Sequence, residues 1–565
     1  MSEPLLSVRD LAVSFEGEDT TTTAVDGVSL DVAPGEILAL VGESGCGKSV
    51  TALSLVGLLG APNAVTSGSV RYDGQELIGA SDDTLRRLRG EQLAMIFQDP
   101  LSSLNPVLRV GDQIAEQIRA HRPVGRAEAR ERTIELLRRV DIPDPERRVD
   151  SYPHELSGGM RQRVTIAMAL SCEPRILIAD EPTTALDVTV QAQILDLIRE
   201  LRAETGAGVL LITHDFGVVA QLADRVAVME AGRIVEQGSV EEVFERPRDD
   251  HTKRLLAAVP RIDGPPPRRP SPAERLARAA SRAEAAGDGA APTGPLLALD
   301  GLEVQFPVRG RRRRGEQPPR AVDGVTLTIE PGETVGLVGE SGSGKSTLAR
   351  AAVRLLDPTG GTVAFAGRDI TRARRRELDP LRSELQIVFQ DPYGSLNPRK
   401  RVRDIVGLPL RLHGVSKQQA AERVDALLER VGLAPEHADR WPHEFSGGQR
   451  QRIGIARALA LEPRLVVLDE PVSALDVTVQ AQILDLLDEL QRDLGLAYLF
   501  ISHDLGVIRQ VADRVAVMRA GKVVELAPAS EIYARPKHAY TAELLSAVPL
   551  PDPRRRRGAA TSAAS

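Results

Sequence analysis

The chain has 565 residues, 42% of them hydrophobic and 27% charged, with a net charge of −7. At about three to four typical domain lengths it is too long for one small module, and its composition suits buried cores. The mildly acidic balance argues against a wholesale commitment to nucleic acid, and two cysteines, Cys46 and Cys172, cannot assemble a zinc or iron–sulfur centre.

At the start of the chain, MSEPLLSVRD mixes acid and base and lacks the apolar run of a secretory signal. No window approaches the roughly 18 apolar residues that cross a bilayer. The expectation is a cytoplasmic chain, with any membrane role borrowed from a partner. The first chemistry follows EILALVG (36–42), an unbroken apolar run that reads as a buried parallel strand feeding a helix. The turn behind it, Gly42, Gly45, Gly47, Lys48 and Ser49, is a P-loop. Its backbone N–H groups and the following helix start would cradle a polyphosphate, its lysine would reach the outer phosphates and its serine a Mg²⁺ ion. Of 72 basic residues only seven are lysine, yet lysine stands here, where a compact ammonium fits and a guanidinium does not. Cys46 lies inside this loop, where the helix start could depress its thiol pKa; a small filler is the simpler reading.

Next comes LSGGM (156–160), in which Ser157, Gly158 and Gly159 open a helix and make a second anion-binding start. RILIAD (175–180) is another buried strand. It delivers Asp180, expected to hold Mg²⁺ through the second coordination shell, and then Glu181, placed to polarise an attacking water. GVLLITH (208–214) delivers His214, read as a γ-phosphate contact.

Residues 263–294 are rich in Pro, Ala and Arg and read as a flexible linker, in which a short helix over AERLARAASRAEAA would change little. Beyond it every motif returns. The second P-loop is Gly339, Gly342, Gly344, Lys345, Ser346 and Thr347; FSGGQ holds Ser446, Gly447, Gly448 and Gln449; the strand ends carry Asp469, Glu470 and His503. DEPTTALDVTVQAQILDL (180–197) differs from DEPVSALDVTVQAQILDL (469–486) only at Thr183/Val472 and Thr184/Ser473. The chain is thus a tandem repeat: a first domain over 1–262, the linker, a second domain over 295–550, and a disordered basic tail over 551–565. Strands alternating with helices make each domain α/β with a mostly parallel sheet. Two phosphate-binding starts per domain exceed what one nucleotide needs, so a head-to-tail arrangement is expected, each ATP lying between one copy's P-loop and the other's Ser-Gly-Gly.

Both copies, nearly end to end, resemble the ATP-binding cassette (ABC) ATPases. The resemblance implies two P-loop NTPase domains, each with a RecA-like core, an antiparallel β-subdomain and a helical subdomain (99–155 and 391–444) carrying the Ser-Gly-Gly signature. It implies that Gln98 and Gln390 sense the γ-phosphate, the metal and the membrane partner, that Asp187 and Asp476 are the D-loop aspartates, and that Phe15 and Phe306 stack on adenine. The cofactors would be ATP and Mg²⁺, the activity ATP hydrolysis. FQDPLSSLNP, FQDPYGSLNP, the PHE-SGG segments and the LLAAVP and LLSAVP ends look like the branch that energises oligopeptide and dipeptide import. That branch implies two membrane permeases and an extracytoplasmic solute-binding protein as partners, a place on the cytoplasmic face of the membrane, and a solute that this chain does not choose. Met160 replaces the usual signature glutamine, but hydrolysis at both sites is still expected. The cysteine cluster of some members is absent, so no iron–sulfur cluster is carried over. A soluble tandem ABC protein acting on ribosomes is the alternative. The arginine runs at 309–314 and 554–557 read as solvated surface, with lipid headgroups as the alternative.

Overall fold

The computed structural model describes residues 3–17, 20–99, 103–183, 186–264, 269–284, 294–306, 320–473 and 475–555. The arginine run 309–314 and tail residues 556–565 lie outside them. The chain divides into two compact units, Met1–Val259 with Asp476–Thr478 and Val548–Ser565, and Pro260–Leu475 with Val479–Ala547.

In the first unit the strands are β1 (Leu6–Glu16), β2 (Thr21–Val32), β3 (Ile37–Gly42), β4 (Ala64–Tyr72), β5 (Gln75–Glu76), β6 (Leu93–Ile96), β7 (Ile176–Asp180), β8 (Gly208–Ile212), β9 (Arg225–Glu230) and β10 (Arg233–Ser239). They form a four-stranded antiparallel sheet, β2-β1-β4-β5, and a six-stranded sheet, β10-β9-β3-β8-β7-β6, parallel except at β9–β10. The unbroken apolar runs of β3, β7 and β8 have a direct cause. Ile37, Ala39 and Val41 pack into a core on one face of the sheet with Leu177 and Val209, while Leu38 and Leu40 pack into a second core on the other face with Ile178 and Leu210. A strand covered on both sides cannot alternate with polar residues.

The second unit repeats this plan with β11 (Leu297–Gln305), β12 (Arg320–Ile329), β13 (Thr334–Val338), β14 (Gly360–Phe365), β15 (Arg368–Asp369), β16 (Leu385–Val388), β17 (Leu465–Asp469), β18 (Ala497–Ile501), β19 (Arg514–Arg519) and β20 (Lys522–Pro528). Its sheets run β12-β11-β14-β15 and β16-β17-β18-β13-β19-β20. The helical segments expected within 99–155 and 391–444 are present, among them Val110–His121, Arg126–Arg139 and Lys417–Arg430.

Two stretches depart from expectation. Part of the supposedly flexible linker is a helix, Pro272–Glu284, built into the second unit. Ser271 and Glu274 cap it reciprocally, the Glu274 N–H donating to Ser271 Oγ at 3.3 Å and the Ser271 N–H to Glu274 Oε2 at 2.7 Å, with Pro272 in the first turn. Arg275 is fully buried and makes a two-pronged ion pair with Asp513, 2.8 Å on each side, while also donating to Gly332 O at 3.0 Å. The linker therefore docks through a charge, not through the large apolar residues whose scarcity suggested flexibility. At the other end, Pro553–Arg555 forms one 3₁₀ turn in the first unit, and Arg554 pairs with Glu245 at 2.7 Å, so the ordered chain runs into the segment expected to be disordered.

Candidate active site

In the first unit the cradle begins where β3 ends. A Cβ on Gly42 would lie 2.2 Å from the carbonyl oxygen of Met229, and one on Gly47 2.3 Å from that of Ala24, so only glycine lets the loop pass. Lys48 is 6% exposed, and its Nζ donates to the carbonyls of Gly42 at 2.8 Å and Glu43 at 2.7 Å. The helix Lys48–Leu55 aims its start, with Ser49, at the ends of the parallel strands, the edge where such sheets bind ligands.

Asp180 closes β7. Burial pushes its carboxyl up to about 6, and the neighbouring Glu181 charge adds to this against the Ser49 hydrogen bond and the Lys48 charge. Asp180 Oδ1 is buried with no hydrogen-bond partner. A buried carboxylate oxygen left open beside a hydroxyl is a donor set that suits a hard cation such as Mg²⁺. In the second unit Ser346 Oγ donates to Asp469 Oδ1 at 2.9 Å, and burial again raises the aspartate pKa.

Glu181 and Glu470 have φ values of 48° and 49°, the left-handed region that a glutamate enters only at a cost of about 1–3 kcal/mol. That twist turns each carboxylate toward two partners. Gln98 Nε2 donates to Glu181 Oε2 at 3.0 Å, while Oε1 lies 3.1 Å from His214 Nδ1. Gln390 Nε2 donates to Glu470 Oε2 at 2.9 Å, and the same oxygen is 3.2 Å from His503 Nδ1. Burial alone would lower both histidine pKa values; the hydrogen bond and charge of the partner glutamate reverse this and raise them. Burial would likewise raise the Glu470 pKa, and the His503 hydrogen bond and the His503 and Lys345 charges bring it below its usual value.

Each unit thus gathers a lysine, a serine, an Asp-Glu pair, a glutamine and a histidine about one sheet edge. The other expected site residues make their hydrogen bonds elsewhere. Ser157 Oγ accepts from the Met160 N–H at 3.3 Å, capping the helix Gly158–Leu170. Ser446 does the same for Gln449, whose Oε1 returns a bond to the Ser446 N–H at 3.0 Å. Met160, with no amide oxygen, cannot supply that return bond. A Cβ added to Gly159 or Gly447 would meet Leu186 or Leu475 at ordinary contact distance, 3.6 and 3.5 Å, whereas one on Gly448 would strike Val479 at 2.3 Å. Asp187 Oδ1 accepts from the Val190 N–H at 3.0 Å and caps the helix Val188–Thr205; Asp476 Oδ1 accepts from Thr478 Oγ1 at 2.8 Å. Phe15 is partly buried near the end of β1, and Phe306, just beyond β11, is 48% exposed. Cys46 fits the small-filler reading. Burial raises its thiol pKa despite Lys48 Nζ at 3.7 Å, so the loop does not activate it.

The positive φ of the two glutamates and their bonds to Gln98 and Gln390 had no signal in the sequence. Among the described residues no helix is long and apolar enough to cross a membrane.

Comparison with known proteins agrees with this geometry. The ABC transporter family matches residues 25–184 and 322–473, and the oligopeptide/dipeptide transporter C-terminal region matches 235–287 and 524–564. The chain is 50% identical over 550 residues to the peptidoglycan transport ATP-binding protein YejF of Agrobacterium fabrum (strain C58), covering 97% of this chain and 96% of that one. It is also 50% identical over 568 residues to the glutathione import ATP-binding protein GsiA of Salmonella choleraesuis (strain SC-B67), covering 98% and 91%. Two cassettes, two such C-terminal regions and this likeness along almost the whole length place the chain in the ABC transporter family, as an ATPase of its oligopeptide/dipeptide branch.

Proposed function

We propose that the chain powers import of peptides or peptide-like solutes, glutathione among them, through two membrane permeases fed by an extracytoplasmic binding protein. The observation that carries this reading is the glutamate at the end of β7 and of β17, held between a glutamine and a histidine beside a lysine-bearing cradle. In it, Gly42–Ser49 and Gly339–Thr347 bind the phosphates of two ATP molecules. Lys48 and Lys345 leave their loop carbonyls for the outer phosphates. Glu181 and Glu470 take the proton of the attacking water, a role worth about 10²–10⁴ in rate. His214 and His503 hold the glutamates and reach the γ-phosphate. Ser49 and Ser346 would hold Mg²⁺, with Asp180 and Asp469 in its second coordination shell and the amide oxygens of Gln98 and Gln390, whose amide nitrogens face the glutamates, beside them. When bound, the ion would supply positive charge against the negative charge that develops on the outer phosphates.

The helix starts at Ser157–Gly159 and Ser446–Gln449 supply a second set of phosphate-binding N–H groups. Phe15 and Phe306 stack on adenine, and Asp187 and Asp476 couple the two sites. A cavity of about 510 Å³ in the first unit, lined by Leu58, Met95, Phe97, Leu108, Gln113 and Met168, receives a permease helix; Val107 beside it is 75% exposed. This docking keeps the chain on the cytoplasmic face of the membrane. The C-terminal oligopeptide/dipeptide match favours this reading over one on the ribosome.

Paired variants test the head-to-tail assignment. Lys48→Ala and Ser446→Ala belong to one site, so the double variant should retain about the ATPase of Lys48→Ala. Lys48→Ala with Ser157→Ala disables both sites and should abolish turnover. Equal loss in the two doubles would refute the arrangement. Solute uptake by vesicles carrying the permeases, with ATP inside, tests import directly; ATP hydrolysis without uptake of any peptide would overturn it.

A further inference from the structure

The C-terminal region of each cassette lies outside the residues that the ABC match covers, yet in both units it brings one buried ring to the same strand end. His251 and Tyr540 occupy matching positions, in DHT (250–252) and AYT (539–541). Both are buried, 3% and 1% exposed. Both begin a helix in the same way, the His251 N–H donating to Asp249 Oδ1 at 2.8 Å and the Tyr540 N–H to His538 Nδ1 at 3.1 Å.

What the rings touch differs as a matched set. His251 Nδ1 lies 3.0 Å from Glu230 Oε1. The guanidinium of Arg519, the residue matching Glu230, lies 4.6 Å from the centre of the Tyr540 ring. Carboxylate with imidazole in one copy is exchanged for guanidinium with phenol in the other. Glu230 and Arg519 each follow a methionine, Met229 or Met518, whose carbonyl oxygen would meet a Cβ on the first cradle glycine at 2.2 or 2.1 Å. Both pairs therefore stand next to a cradle.

Only one of them is tied to it. The Glu340 N–H, inside the second P-loop, donates to Tyr540 Oη at 3.2 Å. His251 Nε2, the matching edge of the imidazole, is buried with no hydrogen-bond partner. The carbonyl of Glu340 is already an acceptor for Lys345 Nζ at 2.9 Å. Once that lysine turns to a phosphate, the phenol hydroxyl still holds the Glu340 peptide.

We propose that Tyr540 is a positioning residue for the second phosphate cradle, that the first cradle lacks this tie because His251 stands in its place, and that the two P-loops consequently differ in nucleotide affinity. The proposal rests on the reading of both P-loops as ATP cradles. A cradle binds in proportion to the fraction of time its N–H groups converge, and a tie on the peptide that leads into the loop raises that fraction.

The test uses the full chain and mant-ATP, with one cradle disabled at a time. In a Lys48→Ala background, which leaves the second cradle, Tyr540→Phe should weaken binding roughly three- to tenfold, the worth of one hydrogen bond. In a Lys345→Ala background, which leaves the first, Tyr540→Phe should change nothing, and Glu230→Arg with His251→Tyr should tighten binding. With both lysines intact, Tyr540→Phe should raise the KM for ATP more than it lowers kcat. If Tyr540→Phe lowers the melting temperature but leaves affinity equal in the Lys48→Ala background, the tyrosine is only a packing residue and the proposal fails. Should the double-exchange variant not fold, the Tyr540→Phe comparison decides alone. Lys48→Ala with Lys345→Ala is the control for the cradles themselves: binding that survives it refutes the P-loop reading, not the tie.

Discussion

Gln98 and Glu181 stand 83 positions apart in the chain, yet the amide nitrogen of one donates to the carboxylate of the other at 3.0 Å. The second unit repeats the contact between Gln390 and Glu470 at 2.9 Å. A residue assigned to sensing the membrane partner thus touches the residue assigned to the water, so displacing Gln98 would remove a hydrogen bond from the Glu181 carboxylate.

Glu181→Gln and Glu470→Gln isolate the chemical role from the structural one. Glutamine keeps the size of the side chain and can still bond to the histidine, but it no longer accepts a proton. Each substitution should cut hydrolysis at its own site by about 10²-fold or more, leaving the steady-state rate to the other site, while nucleotide binding stays intact. A phosphate-release assay on the purified chain checks this. An unchanged rate in Glu470→Gln would mean that the second site binds ATP without hydrolysing it.

The His503–Glu470 pair makes stability depend on pH in a defined direction. The His503 pKa is raised in the folded chain, so that contribution is complete below the ordinary imidazole value of about 6.5 and disappears as pH rises through the raised value. The Glu470 pKa is lowered, so its contribution is complete above the ordinary value of about 4.3 and is lost as pH falls through the lowered one. Between about pH 4.3 and 6.5 both are present. His503→Ala should therefore lower the melting temperature most near pH 5.5 and least above pH 8. A shift that is equal at both pH values would assign the histidine to packing alone.

Arg275 is the linker's anchor. In the first unit Asp224 pairs with Arg202 at 3.0 Å and accepts from the Ile37 N–H at 2.9 Å. In the second unit the matching aspartate, Asp513, accepts from the Thr334 N–H, but Gln491 stands where Arg202 would be, and the linker supplies the guanidinium. Removing one member of a buried ion pair costs about 3–5 kcal/mol. Arg275→Ala should lower the melting transition of the second unit by several degrees, at roughly 2–4 °C per kcal/mol for a unit of this size, and should expose the linker to trypsin. An unaltered transition in calorimetry would show that the linker helix is a passenger.

Much of this was legible in the chain because the physics is local. The apolar runs at 36–42, 175–180 and 208–214 announced buried strands, and glycine with lysine announced the cradle. The linker helix carried its own signature, Ser271 and Glu274 three residues apart with Pro272 between them. What made that segment look flexible was its lack of large apolar residues, a rule that fails when docking runs through a buried charge. The clue lay between the copies: Arg202 against Gln491 leaves Asp513 without its arginine. The left-handed Glu181 and Glu470 left no such trace, since nothing in Asp-Glu-Pro dictates that backbone and only the assembled sheet edge does.

Gly42 and Gly45 separate two reasons for glycine in the first cradle. At Gly42 an added Cβ would lie 2.2 Å from the Met229 carbonyl oxygen, a backbone atom that cannot swing aside. At Gly45 nothing lies within 4 Å, and only the positive φ of 80° disfavours a side chain, at a cost of about 1–2 kcal/mol for alanine. Gly42→Ala should therefore push β3 and β9 apart at the mouth of the cradle and abolish nucleotide binding there. Gly45→Ala should weaken binding by about thirtyfold or less. Titration of mant-ATP in the Lys345→Ala background, where only the first cradle remains, distinguishes them. Equal losses in the two variants would mean that loop conformation, not contact with β9, is what requires glycine at Gly42.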